Sequence, residues 1–471
     1  WCFDHYAFVG GADMAWMETT NTGFYRHQVS LFFARGAAHQ YRKKWSWFIA
    51  MHYNGYDEQG NALSLAVPNY FRRDATHGPD HGQSPALYER SLYLAYLAGA
   101  SFVYHEGWYE AMCRPKAGQT NVVELSPYGQ AQKEWYGFTQ STPRGISYAP
   151  VALLVPFDQG YPQWGGNPWG VFRSERPDAM IDAFIYTIVP HSRDVKKGQE
   201  GCLSNSRYGD IYDVILPGTP RGPVSREVLG DYKVAILLGD HGGDKALADR
   251  LRAYVKAGGT LVLNLRQAGA HYPASFLGLD REGGPAAAVQ GPARSPAGGA
   301  AVELPDAYDC ERVRLRGAAP LLEDAAGNVL ACLNAYGKGR VLVTTVDYLI
   351  PKEEISSAAG RRFPLVEFLM DRIVRDVLPL EVKGDVEYGL NKLGDGWLLY
   401  LINNRGVTKY ANTAQRLDPS KIARVEVLLK EIRAEGLIEG RSQAAIPHNQ
   451  ADNTFTVDVP PGDIRIIKIS E

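Results

Sequence analysis

The chain has 471 residues, too many for one ordinary hydrophobic core, so roughly two to four domains are expected. Fifty Lys and Arg against fifty-two Asp and Glu leave a net charge of -2, which offers no general attraction for nucleic acid or an anionic membrane surface. The five cysteines are scattered, odd in number and free of CxxC spacing, so they indicate neither a disulfide framework nor a zinc site.

No apolar run is long enough to span a bilayer, and no signal peptide is visible. The chain opens at Trp1, already inside aromatic, strand-like sequence, and reads as the C-terminal part of a longer polypeptide. That leaves the compartment open. Tryptophan and tyrosine (9 and 27 in all) are concentrated in the first third. Such rings suit either a large core or a surface that meets sugars.

In chain order, Asp13 to Glu18 reads as a short strand ending in a carboxylate, followed by a polar turn, Thr19 to Gly23. Residues 26 to 41 carry Val29, Phe32, Phe33, Ala37 and Ala38 at the spacing of one buried helical face. Trp45 to Met51 is a second buried strand, breaking into His52, Tyr53, Asn54 and Gly55. The aperiodic stretch from Gly55 to Gln83 is long for a connection and reads as a functional loop or lid. A helix from Ser84 to Ala98 follows, with Ser84 as cap, Pro85 at the first helical position and Gly99 as stop. Ser101 to Tyr104 is then a buried strand that breaks at His105, Glu106, Gly107 and Trp108, and a helix near Pro127 to Thr139 closes the region. Three repeats of strand and helix, each strand ending in polar residues, make residues 1–142 the C-terminal part of a (β/α)8 barrel, strands six to eight.

Residues 143–379 alternate strands and helices in the manner of a doubly wound α/β sheet. The strands fall at Val151 to Val155, Asp213 to Leu216, Lys233 to Leu238, Leu261 to Leu265 and Arg340 to Thr345. Asp244 caps a helix between the third and fourth, and Phe363 to Val377 makes a closing helix. The stretch Gly283 to Ala301, rich in Gly, Ala and Pro, reads as a surface excursion. Residues 380–471 change to period two and read as a small antiparallel β-sandwich.

Cleavage of a glycosidic bond requires a proton donor on the leaving oxygen and a carboxylate for the oxocarbenium-like centre. Glu18 and Glu106, at strand ends beside Trp16 and Trp108, are the catalytic candidates, since an adjoining ring desolvates a carboxylate and raises its pKa. The alternative for either is a ligand to substrate hydroxyls or a member of an ion pair. Trp16, Asn21, His52, Tyr53, Asn54, His105 and Trp108 are candidate contacts to an oligo- or polysaccharide. His77, Asp80 and His81 have ligand types, but without further ligands at defined spacing they read as the polar tip of a lid, not a metal site. The α/β region has no GxGxxG, phosphate loop or GxSxG elbow, so no cofactor is expected.

The segments SPALYERSLYLAYLAGASFVYHEGW and LLGDHGGDKALADRLRAYVKAGGTLVLN, and the order of the domains, resemble the family 42 glycoside hydrolases of β-galactosidase type. The resemblance implies a barrel, a glutamine-amidotransferase-like trimerisation domain, a small β domain and a homotrimer. It also implies an acid/base glutamate after strand four, which lies outside this sequence, and a nucleophile glutamate ending strand seven, where WSWFIAMHYNG instead has Met51 and His52. The expectation is therefore a glycosidase of a divergent, related family, with a non-catalytic carbohydrate-binding barrel as the alternative.

Overall fold

The computed structural model describes residues 2–21, 26–53, 55–63, 82–106, 109–119, 121–158, 175–190, 197–199, 201–353, 358, 360–410 and 413–471; the side chains of residues 20, 21, 52, 53, 55, 62, 63, 106, 109, 110 and 115 are outside this description. The first residues form a helix, α1 (Phe3–Val9), instead of the expected strand. Asp4, His5 and Phe8 are buried on one side of it, a helical spacing that the aromatic composition obscures.

Strand β1 (Met14–Asn21), helix α2 (His27–Tyr41), strand β2 (Lys44–Tyr53), helix α3 (Pro85–Leu97), strand β3 (Val103–Glu106) and helix α4 (Pro127–Ser141) follow. Both α3 and α4 open with Ser-Pro. The Ser84 and Ser126 hydroxyls accept from the backbone N–H of Leu87 and Gly129 at 2.9 and 3.2 Å, and the proline costs no donor at the first helical position. The three strands make a parallel sheet in the order β1-β2-β3. Ala15, Met17, Trp45, Trp47 and Ile49 face the helices and are buried with Leu31, Ala34, Leu87 and Leu94. The opposite face carries Trp16 and Tyr104, with Phe102 just before β3; these are 46%, 52% and 41% exposed. The segment 101–104 is thus not the buried strand expected from its composition, because among the described residues no element covers that face.

Strand β4 (Ile146–Ser147) pairs with the last unit, and β5 (Val151–Leu154), α5 (Arg176–Ile188), β6 (Tyr212–Ile215), β7 (Val234–Leu237), α6 (Lys245–Ala257) and β8 (Thr260–Asn264) begin the second. The second unit continues with β9 (Ala287–Arg294), β10 (Val302–Cys310), β11 (Ala319–Asp324), β12 (Val329–Tyr336), β13 (Gly339–Thr344) and α7 (Pro364–Val377). Its described strands run β6-β5-β7-β8-β13-β12-β11-β9-β10. The first five are parallel and the rest antiparallel. Numbered along the chain, the parallel five have the order 2-1-3-4-5, a doubly wound arrangement. The segment expected as a surface excursion supplies β9, whose Ala287, Val289 and Ala293 are buried on alternate positions.

The last unit holds β14 (Leu380–Lys383), β15 (Glu387–Leu393), β16 (Gly396–Ile402), β17 (Ala423–Leu429), β18 (Gly436–Glu439), β19 (Thr454–Val459) and β20 (Ile464–Ser470). They form two antiparallel sheets, β18-β20-β16-β15-β4 and β14-β17-β19. Strand β16 is apolar at every position from Leu398 to Ile402 because both its faces are covered. Leu399 and Leu401 share a core with Val425 and Val427 of the other sheet, whereas Leu398, Tyr400 and Ile402 pack in the core of α3 and α4. No helix among the described residues is long and apolar enough to cross a membrane.

Candidate active site

The site is built on the C-terminal half of the first sheet. Parallel register aligns Trp16 with Ser46, and Glu18 with Phe48 and Tyr104, and side chains of paired residues stand on the same face. Glu18 is exposed on that face. The rings form a continuous patch: Trp16 meets Phe102 edge-on at 4.9 Å and Tyr104 at 6.0 Å, and Phe48 stacks on Tyr104 at 5.1 Å between centroids. Such a patch presents apolar area beside one carboxylate, an arrangement that can hold a ring with C–H faces and hydroxyl edges. The desolvation expected for Glu18 from Trp16 is not supplied by the described residues, since both side chains are exposed.

Glu106 ends β3, its backbone paired with Ala50, two residues beyond the Tyr104–Phe48–Glu18 row; its side chain lies outside the described residues. His105, paired with Ile49, faces the other way. Its ring approaches Tyr88 of α3 at 6.3 Å, and burial lowers its pKa, which keeps the imidazole neutral. The sheet therefore stands between His105 and the Glu18 face. Asn21 pairs with Tyr53 through the backbone after an irregularity in β1, but the side chains of Asn21, His52 and Tyr53 lie outside the description, as do Asn54 and Trp108 entirely. His77, Asp80 and His81 are likewise outside it. Among the described residues no group of three or more His, Cys, Asp or Glu is placed to hold a metal.

Phe48, Phe102 and Tyr104 were not singled out from the sequence as contacts. The alternation Phe102, Tyr104, Glu106 carried the signal, because period two puts these positions on one face and His105 on the other.

No protein-family model matches the chain, and a search of curated proteins finds no match. Among solved structures, the α-L-fucosidase isoenzyme 2 from Paenibacillus thiaminolyticus matches with a TM-score of 0.58 at 14% identity, over 99% of this chain and 67% of that one. A family 42 β-galactosidase from G. stearothermophilus matches with a TM-score of 0.48 at 12% identity, over 91% and 60%. The β-galactosidase from Bacillus circulans sp. alkalophilus gives 0.47 at 13%, over 94% and 66%. At 14% identity, the likeness to the fucosidase is one of fold alone. The chain spans less than two thirds of the length of either galactosidase.

Proposed function

We propose that this chain carries part of the active site of a glycoside hydrolase, with Glu18 and Glu106 as its carboxylates. The observation that supports this most is the position of Glu18, exposed in the C-terminal half of the parallel strand β1 and flanked on the same face by Trp16, Phe48 and Tyr104. On this reading the open face is the lumen wall of a (β/α)8 barrel, the three strands being its sixth to eighth, and the rest of the barrel belongs to the whole protein. Glu18 and Glu106 stand on strands separated by β2 and offset by two residues. Strand spacings of about 4.8 Å and a rise of about 3.3 Å per residue put their Cα atoms roughly 12 Å apart, a span across which two glutamates reach one sugar ring.

One carboxylate protonates the leaving oxygen and the other acts as nucleophile or as base toward water. Trp16 and Trp108 stack on the ring, and Asn21, His52, Tyr53 and Asn54 fix hydroxyls; His105, behind the sheet against Tyr88, is not among these contacts. The α/β unit is read as an amidotransferase-like module that mediates trimer formation. The test is a screen of the whole protein against aryl glycosides and polysaccharides, with Glu18→Gln and Glu106→Gln alongside. Turnover lost in either variant supports the assignment, and turnover kept in both rejects it. A second reading, a barrel that binds glycans without cleaving them, is favoured by the lack of any acid in β2, KWSWFIAMHY. It predicts saturable glycan binding with no release of reducing sugar.

A further inference from the structure

A cavity of about 1190 Å3 opens between the α/β unit and the β-sandwich. Its walls are the turn joining β9 to β10, the exposed side of α7, and the start of β14; no residue of the first sheet lines it. Ligand sites favour such clefts between domains. The turn contains Gly298 and Gly299 at φ of 91° and 113°, backbone that side chains other than glycine rarely adopt.

The polar lining divides into two sets. Arg207 lies 3.0 Å from Asp371, Arg362 pairs with Glu367, and Lys430 Nζ donates to the Arg375 carbonyl at the end of α7 at 2.8 Å. Arg372, Arg375, Glu303 and Glu381 line the same space; Arg375 acts electrostatically on Asp371, and Glu381 on Lys383. Cations and anions therefore face the space side by side. A ligand of either sign would meet like charge, whereas a hydroxyl accepts from a guanidinium and donates to a carboxylate. Phe368, Leu380 and Val382 add apolar lining against which the C–H face of a sugar ring can pack.

We propose that this cavity is a second carbohydrate site, in which Arg372, Arg375, Glu303 and Glu381 bind the hydroxyls of a neutral oligosaccharide. It is a binding site only, separate from the Glu18 face. The test is a calorimetric titration of the full chain with tetrasaccharides of β-1,4-linked glucose, mannose and galactose, and with a uronic-acid tetrasaccharide. The variants are Arg375→Ala with Glu381→Ala, and Ala297→Trp, which adds bulk to the cavity's lining from an exposed turn and leaves the core untouched. At least one neutral tetrasaccharide is expected to bind saturably, at least tenfold more weakly in both variants and unchanged in Glu18→Gln. Absence of saturable binding, equal binding by the variants, or tighter binding of the uronic probe would each overturn the proposal. Loss of binding in Glu18→Gln alone would also overturn it, while supporting the first-sheet site.

Discussion

Arg35 of α2 holds Asp210 of the second unit through two hydrogen bonds, Nη2 to Oδ1 at 2.7 Å and Nη1 to Oδ2 at 3.0 Å, with both side chains buried. Its Nε donates to Asp213 at 2.7 Å, and the Tyr400 hydroxyl of β16 donates to Asp210 at 2.7 Å. The Arg35–Asp210 pair thus joins all three units.

Removing that guanidinium leaves two buried carboxylates without a counter-ion. Arg35→Met is expected to cost about 3 to 5 kcal/mol of stability, since breaking a buried pair is worse than never having built it. Denaturant unfolding measures this, and a loss under about 1 kcal/mol would contradict the structure.

Gly36, next in α2, lies against β6. A Cβ there would stand 2.1 Å from the Val214 carbonyl oxygen and 2.7 Å from its nitrogen, backbone that cannot swing aside. Helix propensity favours alanine by about 1 kcal/mol, but overpacking against a strand costs about 1 to 3 kcal/mol or more. Gly36→Ala is therefore expected to lower the melting temperature despite improving the helix. A higher one would show that α2 can slide away from β6.

His5 Nε2 donates to the same Val214 carbonyl at 3.1 Å, while Nδ1 has no hydrogen-bond partner among the described residues. Burial lowers its pKa to about 3. The unfolded chain, near 6.5, therefore binds the proton that the folded chain refuses. The stability from neutral His5 is present above pH 6.5 and is lost as pH falls toward 3, at a limiting slope of about 1.4 kcal/mol per pH unit. Unfolding free energies at pH 7 and 4.5 should differ less in His5→Gln than in the wild type. Equal differences would place the imidazole in water.

Trp16 is 46% exposed, so Trp16→Ala should change stability by no more than about 1 kcal/mol. If the ring stacks on substrate, KM for a glycoside rises several-fold while the melting temperature holds. A large fall in melting temperature with KM unchanged would make Trp16 a structural residue.

Much of the local structure was legible because single residues set it: the Ser-Pro starts of α3 and α4, the Asp244 cap that accepts from Ala246 and Leu247, and the stop at Gly258 with φ 131°. The α/β strands announced themselves as apolar runs, since a parallel sheet is covered on both faces. Strand β9 did not, because its buried face is made of Ala287, Val289 and Ala293, too small to stand out from a Gly- and Pro-rich stretch. In the site, Glu18 and Trp16 were legible as strand residues, but the strand runs on through Asn21 instead of turning at Thr19, and grouping His105 with Glu106 ignored the alternation that separates them. The Arg35 junction could not be read at all, for its partners lie 175 to 178 residues away.

The most direct test of the Glu18 face is steady-state hydrolysis of a glycoside by the whole protein with and without Glu18→Gln. A catalytic carboxylate lost in this way should lower kcat/KM by about a hundredfold or more, mostly in kcat, with the fold intact by circular dichroism. Unchanged kcat/KM in a folded variant would show that the aromatic face and its carboxylate are not where the bond is cleaved.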